Sequence, residues 1–163
     1  MRVSGGLLSL RCDYCKNVVY TAPDDEGVRY MEELEDVLCP VCAVPLWNAS
    51  LANVSIRACK KCRGMLIAMG AFEGLIDLVR AENPKSEIPV ADDGSDATRR
   101  LECPVCHHPM ETHFYYGGGH VMMDDCERCE LNWLDGGELL RIAHAPRPEE
   151  AEEWSQRSPS GTP

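Results

Sequence analysis

The sequence predicts a small metal-stabilised α+β fold, in which two tandem antiparallel β-hairpins are each clamped at one end by paired cysteines and followed by a short helix. Three observations carry this reading. The 163-residue chain has ten cysteines, and every one falls in a Cys-x-x-Cys pair: Cys12/Cys15, Cys39/Cys42, Cys59/Cys62, Cys103/Cys106 and Cys126/Cys129. The segment from Cys39 to residue 80 recurs, almost without gaps, from Cys103 to residue 143. The chain is also poor in the large side chains that build cores, with two Phe and 6% aromatic residues, so something other than apolar burial is expected to hold it.

Two thiolates three positions apart on a tight turn can both face one tetrahedral ion, while backbone N–H groups of the turn soften the charge on sulfur. Two such knuckles complete one site. The first ten residues hold too short an apolar stretch for a signal peptide, and no segment approaches the roughly 18 apolar residues of a membrane span. The expected compartment is therefore the cytoplasm, where thiols stay reduced and dense cysteines read as metal ligands rather than disulfides. The Asn-x-Ser triplets at Asn48 and Asn53 are then accidents of composition. The expected ion is Zn2+, with iron as the rival for four thiolates. One ligand set is Cys39, Cys42, Cys59 and Cys62, and the other is Cys103, Cys106, Cys126 and Cys129.

Residues 1–38 form an N-terminal segment with the single knuckle Cys12-Asp-Tyr-Cys15. A hairpin is expected after it, with Val18-Val-Tyr20 and Val28-Arg-Tyr30 flanking the turn Pro23-Asp-Asp-Glu-Gly27. Its return knuckle is missing, because Met31-Glu-Glu-Leu34 stands there. Three fates stay open for Cys12 and Cys15. They could join Cys39/Cys42 across 23 residues and strand Cys59/Cys62, form a half-site completed by another chain, or act as a reactive dithiol. Two zinc sites are expected, and a third is left open.

Residues 39–80 hold the first complete unit. After Cys39-Pro-Val-Cys42, Leu46–Ala49 and Val54–Arg57 flank a turn near Ala52-Asn53, which brings the second knuckle back to the first. The following helix has Phe72, Leu75, Ile76 and Val79 on one face. Ala68 and Ala71 occupy its capping positions, so it must lean on packing. Residues 81–100 are polar, contain two Pro, and read as a linker.

Residues 101–144 repeat the plan. Cys103-Pro-Val-Cys106 is verbatim, His113–Tyr116 and His120–Met123 flank Gly117-Gly118-Gly119, and Cys126/Cys129 closes the hairpin. Asp135-Gly-Gly-Glu138 is a capping-box pattern in which Asp135 accepts from the N–H of Glu138 and Glu138 reaches back. Leu139, Ile142 and Ala143 then share one helix face. Trp47 and Trp133 are expected to pack ribbon against helix. Residues 145–163, with an acidic cluster and Trp154, read as a disordered tail.

At these residues the chain resembles the bacterial zinc ribbons of the transcription-factor-IIB type. Their pattern is Cys-Pro-x-Cys, a hairpin, then Cys-x-x-Cys-x-Gly-x-Trp-Leu-Asp-x-Gly-Glu-Leu. The second copy carries Trp133-Leu134-Asp135, Gly137 and Glu138-Leu139. The first keeps both knuckles, Gly64, Gly70 and Phe72, with Leu66, Ala68 and Ala71 at the Trp, Asp and Glu positions. Glu130-Leu131 replaces the Gly-Gly of the family and calls into question the tight turn after Cys129. The resemblance implies tandem zinc ribbons and a transcription-related role by analogy, although one fold serves many partners.

The net charge is −11, which argues against phosphate backbones and anionic membranes. It is unevenly spread: +3 over residues 39–80 and −6 over residues 101–144. Arg57, Lys60, Lys61 and Arg63 beside the second knuckle are read as balancing the thiolates rather than as a nucleic-acid patch. All five histidines, His107, His108, His113, His120 and His144, lie in the second half and read as surface or hairpin positions, since four cysteines already serve each site. No nucleophile constellation or phosphate-cradling loop stands out. The sequence thus points to a non-enzymatic adaptor with a protein partner and no membrane contact. The runner-up is nucleic-acid binding through the first ribbon. A third reading, thiol-redox or redox-regulated chaperone activity at Cys12/Cys15, has no thioredoxin-like βαβ pattern around it.

Overall fold

A computed structural model describes residues 2–3, 10–11, 18–19, 22–82, 99–115 and 121–145. Cys12, Cys15, Tyr20, the triple glycine, His120, residues 83–98 of the linker and residues 146–163 of the tail lie outside the described residues.

Three two-residue strands, β1 (Arg2–Val3), β2 (Leu10–Arg11) and β3 (Val18–Val19), pair antiparallel in the order β1-β2-β3. The main body is a seven-stranded sheet in the order β4-β5-β6-β7-β10-β9-β8. Its strands are β4 (Arg29–Leu38), β5 (Pro45–Leu51), β6 (Val54–Ala58), β7 (Met65–Ala68), β8 (Glu111–Phe114), β9 (Met122–Cys126) and β10 (Leu131–Leu134). Helices α1 (Met69–Glu82) and α2 (Glu138–His144) follow β7 and β10.

The β5–β6 hairpin forms where the sequence places it. Ala52 and Asn53 have φ of 47° and 65°, the left-handed pair that a two-residue hairpin turn requires. The hairpin expected from Val18–Tyr20 and Val28–Tyr30 is not the pairing found: β3 pairs with β2, and β4 pairs with β5. The cause lies in the turn before β4. The Asp24 carboxylate accepts from the N–H groups of Glu26 and Val28 at 3.0 and 2.9 Å, and Gly27 at φ 82° reverses the chain. Val28 is thereby fully buried, and β4 runs along β5 as a sheet edge. Exposed Glu32, Glu33, Glu35 and Asp36, with two register shifts, blunt that edge against further pairing.

The join between the two ribbons is β7 with β10. Met65-Leu66-Ile67-Ala68 is a continuous apolar run, as expected of a strand covered on both faces. It pairs antiparallel with Leu131–Leu134, placing Leu66 opposite Trp133 and Met65 opposite Leu134. Leu66 and Trp133 occupy the same position in the two repeats, so a local two-fold axis passes between them.

Each sheet face has its own core. On one face Leu51, Ile56, Met65, Ile67 and Leu134 pack with Phe72, Leu75, Ile76 and Val79 of α1 and Leu139, Ile142 and Ala143 of α2. The apolar interior that the low aromatic content argued against is thus present, because the two ribbons share it. On the other face Leu46, Leu66, Leu101, Met110 and Trp133 cluster with Cys39, Cys59, Cys103 and Cys126. Trp133 therefore packs towards the cysteines and not, as expected, between ribbon and helix. Trp47 is half-buried, with the Lys60 ammonium 3.2 Å from its ring centroid.

The helix starts depart from the sequence reading in an instructive way. Glu138 reaches back to the Asp135 N–H at 2.7 Å, as the capping box predicts. The Asp135 side chain does not cap. It accepts instead from Arg99 at 2.6 Å and from the Trp133 indole N–H at 3.2 Å, while Gly137 at φ 85° is the N-cap residue. Helix α1, which lacks a box, begins with the Met69 N–H donating to the Glu130 carbonyl of the other ribbon at 2.9 Å. At the far end Arg80 of α1 donates to the carbonyls of Ala143 and Ala145 at 2.6 and 3.2 Å, satisfying the end of α2.

Candidate metal centres

Each knuckle is a closed turn. The N–H groups of Ala43, Arg63 and His107 donate to the carbonyls of Cys39, Cys59 and Cys103 at 2.8 to 2.9 Å. To close it, the residue after the second cysteine enters the left-handed region in all four knuckles: Ala43, Arg63, His107 and Glu130 have φ of 54°, 62°, 56° and 53°. The turn that Glu130 called into question is therefore made, at a conformational cost that glycine would avoid. Glu130→Gly is expected to stabilise the zinc-loaded protein by about 1 kcal/mol, read as a rise in the denaturant midpoint with unchanged slope.

These turns gather the sulfurs into two groups among the described residues: Cys39, Cys42, Cys59 and Cys62, and Cys103, Cys106, Cys126 and Cys129. Within each group all four sulfurs lie within 4.8 Å of one another, with Cys39 and Cys62 at 3.5 Å and Cys106 and Cys126 at 3.6 Å. Four sulfurs about 2.3 Å from a tetrahedral Zn2+ sit roughly 3.8 Å apart, so both groups fit the ion. The Cys42 N–H lies 3.4 Å from the Cys39 sulfur, the first of the hydrogen bonds that soften thiolate charge. The first cysteine of each knuckle is buried and the second is partly exposed. Neither group includes a histidine. His113 pairs with Asp125 at 2.9 Å, while His107 and His108 are exposed, His108 against Arg128.

Without an ion four of the sulfurs hold their protons more tightly than an ordinary thiol. Burial pushes the Cys42 thiol up to about 11, hydrogen bonding with Cys39 pushes Cys62 well above the ordinary value, and hydrogen bonding with Cys106 takes Cys129 up to about 12. Burial raises Cys126 as well. Cys106 is the exception, held down to about 7 by a backbone hydrogen bond from His108. Metal binding must displace the protons, so apparent zinc affinity rises with pH below these values and falls as acid is added. Zinc therefore displaces protons from Cys42 and Cys62 at the first site and from Cys126 and Cys129 at the second. Proton release on zinc loading at neutral pH, measured in single-site variants, tests this, and loading of either site without proton release would contradict it.

Residues distant in sequence meet between and around the two centres. Trp133 is fully buried and lies against Gly64, where an added Cβ would sit 2.3 Å from the indole. An added Cβ at Gly136 would sit 2.6 Å from the Cys62 carbonyl oxygen. Arg99, from the end of the linker, bridges Asp124 and Asp135 at 3.2 and 2.6 Å. The Trp133 and Gly64 signals were present in the sequence, but only the β7–β10 pairing shows that they meet. Cys12 and Cys15 lie outside the described residues.

Two of the four cations beside Cys59/Cys62 have partners within the chain. Arg63 pairs with Asp25 and Glu26 at 3.1 and 3.3 Å, and Lys60 sits over Trp47 and Tyr30. Among the described residues no helix is long and apolar enough to cross a membrane.

The family described as Transcription factor zinc-finger, of the transcription-factor-IIB zinc-ribbon type, matches residues 38–78 and 102–145. Comparison with curated proteins and with solved structures gives no match. The two matched segments cover just over half of the chain and each encloses one four-sulfur group, so the protein belongs to the transcription-factor-IIB-type zinc-ribbon family, as a tandem member with two zinc sites.

Proposed function

We propose that the chain is a non-enzymatic cytoplasmic adaptor that engages a protein partner through the tips of its two Cys-Pro-Val-Cys knuckles. The carrying observation is that Val41 and Val105, equivalent in the repeat, are 42% and 44% exposed. Leu38, just before the first knuckle, is 46% exposed. Exposed carboxylates stand beside these tips in sequence, Glu35 and Asp36 at the first and Glu102 at the second. With a net charge of −11, this fits a partner surface that is apolar at its centre and basic around it. A closed four-thiolate site leaves no position for water or substrate, which favours a structural role for both metals. The reduced thiols that such sites need favour the cytoplasm. The nucleic-acid reading loses support because Arg63 and Lys60 have partners within the chain. A role in transcription rests on family analogy alone.

The test uses the zinc-loaded full chain. The double variant Val41→Asp/Val105→Asp should keep its two zinc ions and lose the protein that wild type captures by cross-linking in cells. Undiminished capture by the variant, or a gel shift of nucleic acid by wild type that survives moderate salt, would overturn the proposal.

A further inference from the structure

We infer that the two four-cysteine sites load zinc cooperatively, because the ribbons fold as one body across the β7–β10 strand pair. The inference rests on the two-zinc reading and goes beyond it, since tandem metal modules on a linker would fill independently.

The contacts that tie each site to the other ribbon come in two-fold related pairs. The strand leaving the first site, β7, is the hydrogen-bonding partner of the strand leaving the second, β10. Where β7 ends, the Met69 N–H donates to the carbonyl of Glu130, the residue after the second-site ligand Cys129. Where β10 ends, Gly136 lies so close to the carbonyl of the first-site ligand Cys62 that a side chain is excluded. Between them, Leu66 and Trp133 join Cys39 and Cys59 of one site to Cys103 and Cys126 of the other in a single apolar cluster. An ion that orders either group of four sulfurs therefore also orders the strand, turn and side chains on which the other group is built. Metal binding here is coupled to folding, so the shared surface couples the two bindings, and by linkage the coupling is reciprocal.

The two halves differ in how far each stands alone. The first ribbon has β4, a seven-residue outgoing strand β5 and a 14-residue helix. The second has a four-residue strand β8 and a seven-residue helix whose terminal carbonyls are satisfied by Arg80 from the first. The first site is therefore the tighter when alone, while the coupling between the two is the same in either direction.

A thermodynamic cycle with Zn2+ as the probe tests the coupling. The full chain carrying Cys103→Ser and Cys126→Ser gives the zinc constant of the first site alone, and Cys39→Ser with Cys59→Ser gives that of the second alone. Both are measured by competition with a chromophoric chelator, with ion counts by native mass spectrometry. The two-ion constant of wild type should exceed the product of the two single-site constants by about 100-fold, within the usual range of coupling between sites. Should the second site bind no zinc once the first is removed, the excess is larger still and the proposal stands. Repeating the cycle with Trp133→Leu, which removes no sulfur ligand and keeps the position apolar, should shrink the excess at least several-fold. Equality of the product and the wild-type constant would overturn the proposal, as would an excess untouched by Trp133→Leu. A wild-type chain that takes up no zinc would overturn the two-zinc reading itself and the coupling with it, so the two failures are distinguishable.

Discussion

Removing both zinc ions is expected to abolish cooperative folding of this protein. A four-thiolate zinc site contributes on the order of 10 to 16 kcal/mol, as much as the roughly 5 to 15 kcal/mol of net stability of a whole domain. Here the loss is concentrated on one side of the sheet. The cluster of Leu46, Leu66, Leu101, Met110 and Trp133 includes four of the ligand cysteines, so it has no independent frame once the sulfurs repel and reprotonate. The opposite face, where α1 and α2 meet the sheet, is mainly apolar, contains no ligand cysteine, and can persist as a loose helical remnant. Chelation should therefore erase the near-ultraviolet dichroism of buried Trp133 and the sharp thermal transition, while leaving part of the helical far-ultraviolet signal. An unchanged melting curve after complete demetallation would contradict the account.

The second large effect comes from a change to one methyl group. Gly64→Ala places a Cβ 2.3 Å from the Trp133 indole, far inside van der Waals contact, in a place where Trp133 cannot swing out because it is fully buried. Gly64 does not need glycine for its backbone angles, so the cost is steric alone. Overpacking of this kind costs about 1 to 3 kcal/mol, and a rigid double ring lying between two metal sites puts this case at the upper end. Trp133→Leu costs stability by itself, but in the double variant it should remove most of the Gly64→Ala penalty. The resulting coupling should be at least about 1 kcal/mol in denaturant unfolding of the zinc-loaded protein. Strict additivity of the two changes would show that the contact is not where the energy lies.

Much of the metal chemistry was legible before any coordinates, for a physical reason. The spacing of cysteines on a tight turn is a local constraint, as is the left-handed pair Ala52-Asn53, and local constraints are written where they act. The helical stripe of Phe72, Leu75, Ile76 and Val79 could be read in the same way. The pairing of β7 with β10 could not. Met65–Ala68 is four apolar residues, too short for periodicity to separate a strand from a helix lead-in, and nothing in it names a partner 67 residues away in the repeat. The edge strand β4 was hidden by its carboxylates, which protect an edge but look like a solvated segment. Asp135 misled for a related reason. Its sequence context is a cap, but an indole N–H and the distant Arg99 compete for the same oxygens and win.

Where Leu66 faces Trp133, the two halves of this chain fill one shared space with unlike side chains. A residue on a dyad meets its own likeness, so a lone module that met a twin along this strand would have to seat two indoles, or two leucines, in one space. Joined on a single polypeptide, the copies are free to divide the volume unequally. One fills it with a double ring, and the other withdraws to a leucine and a bare glycine.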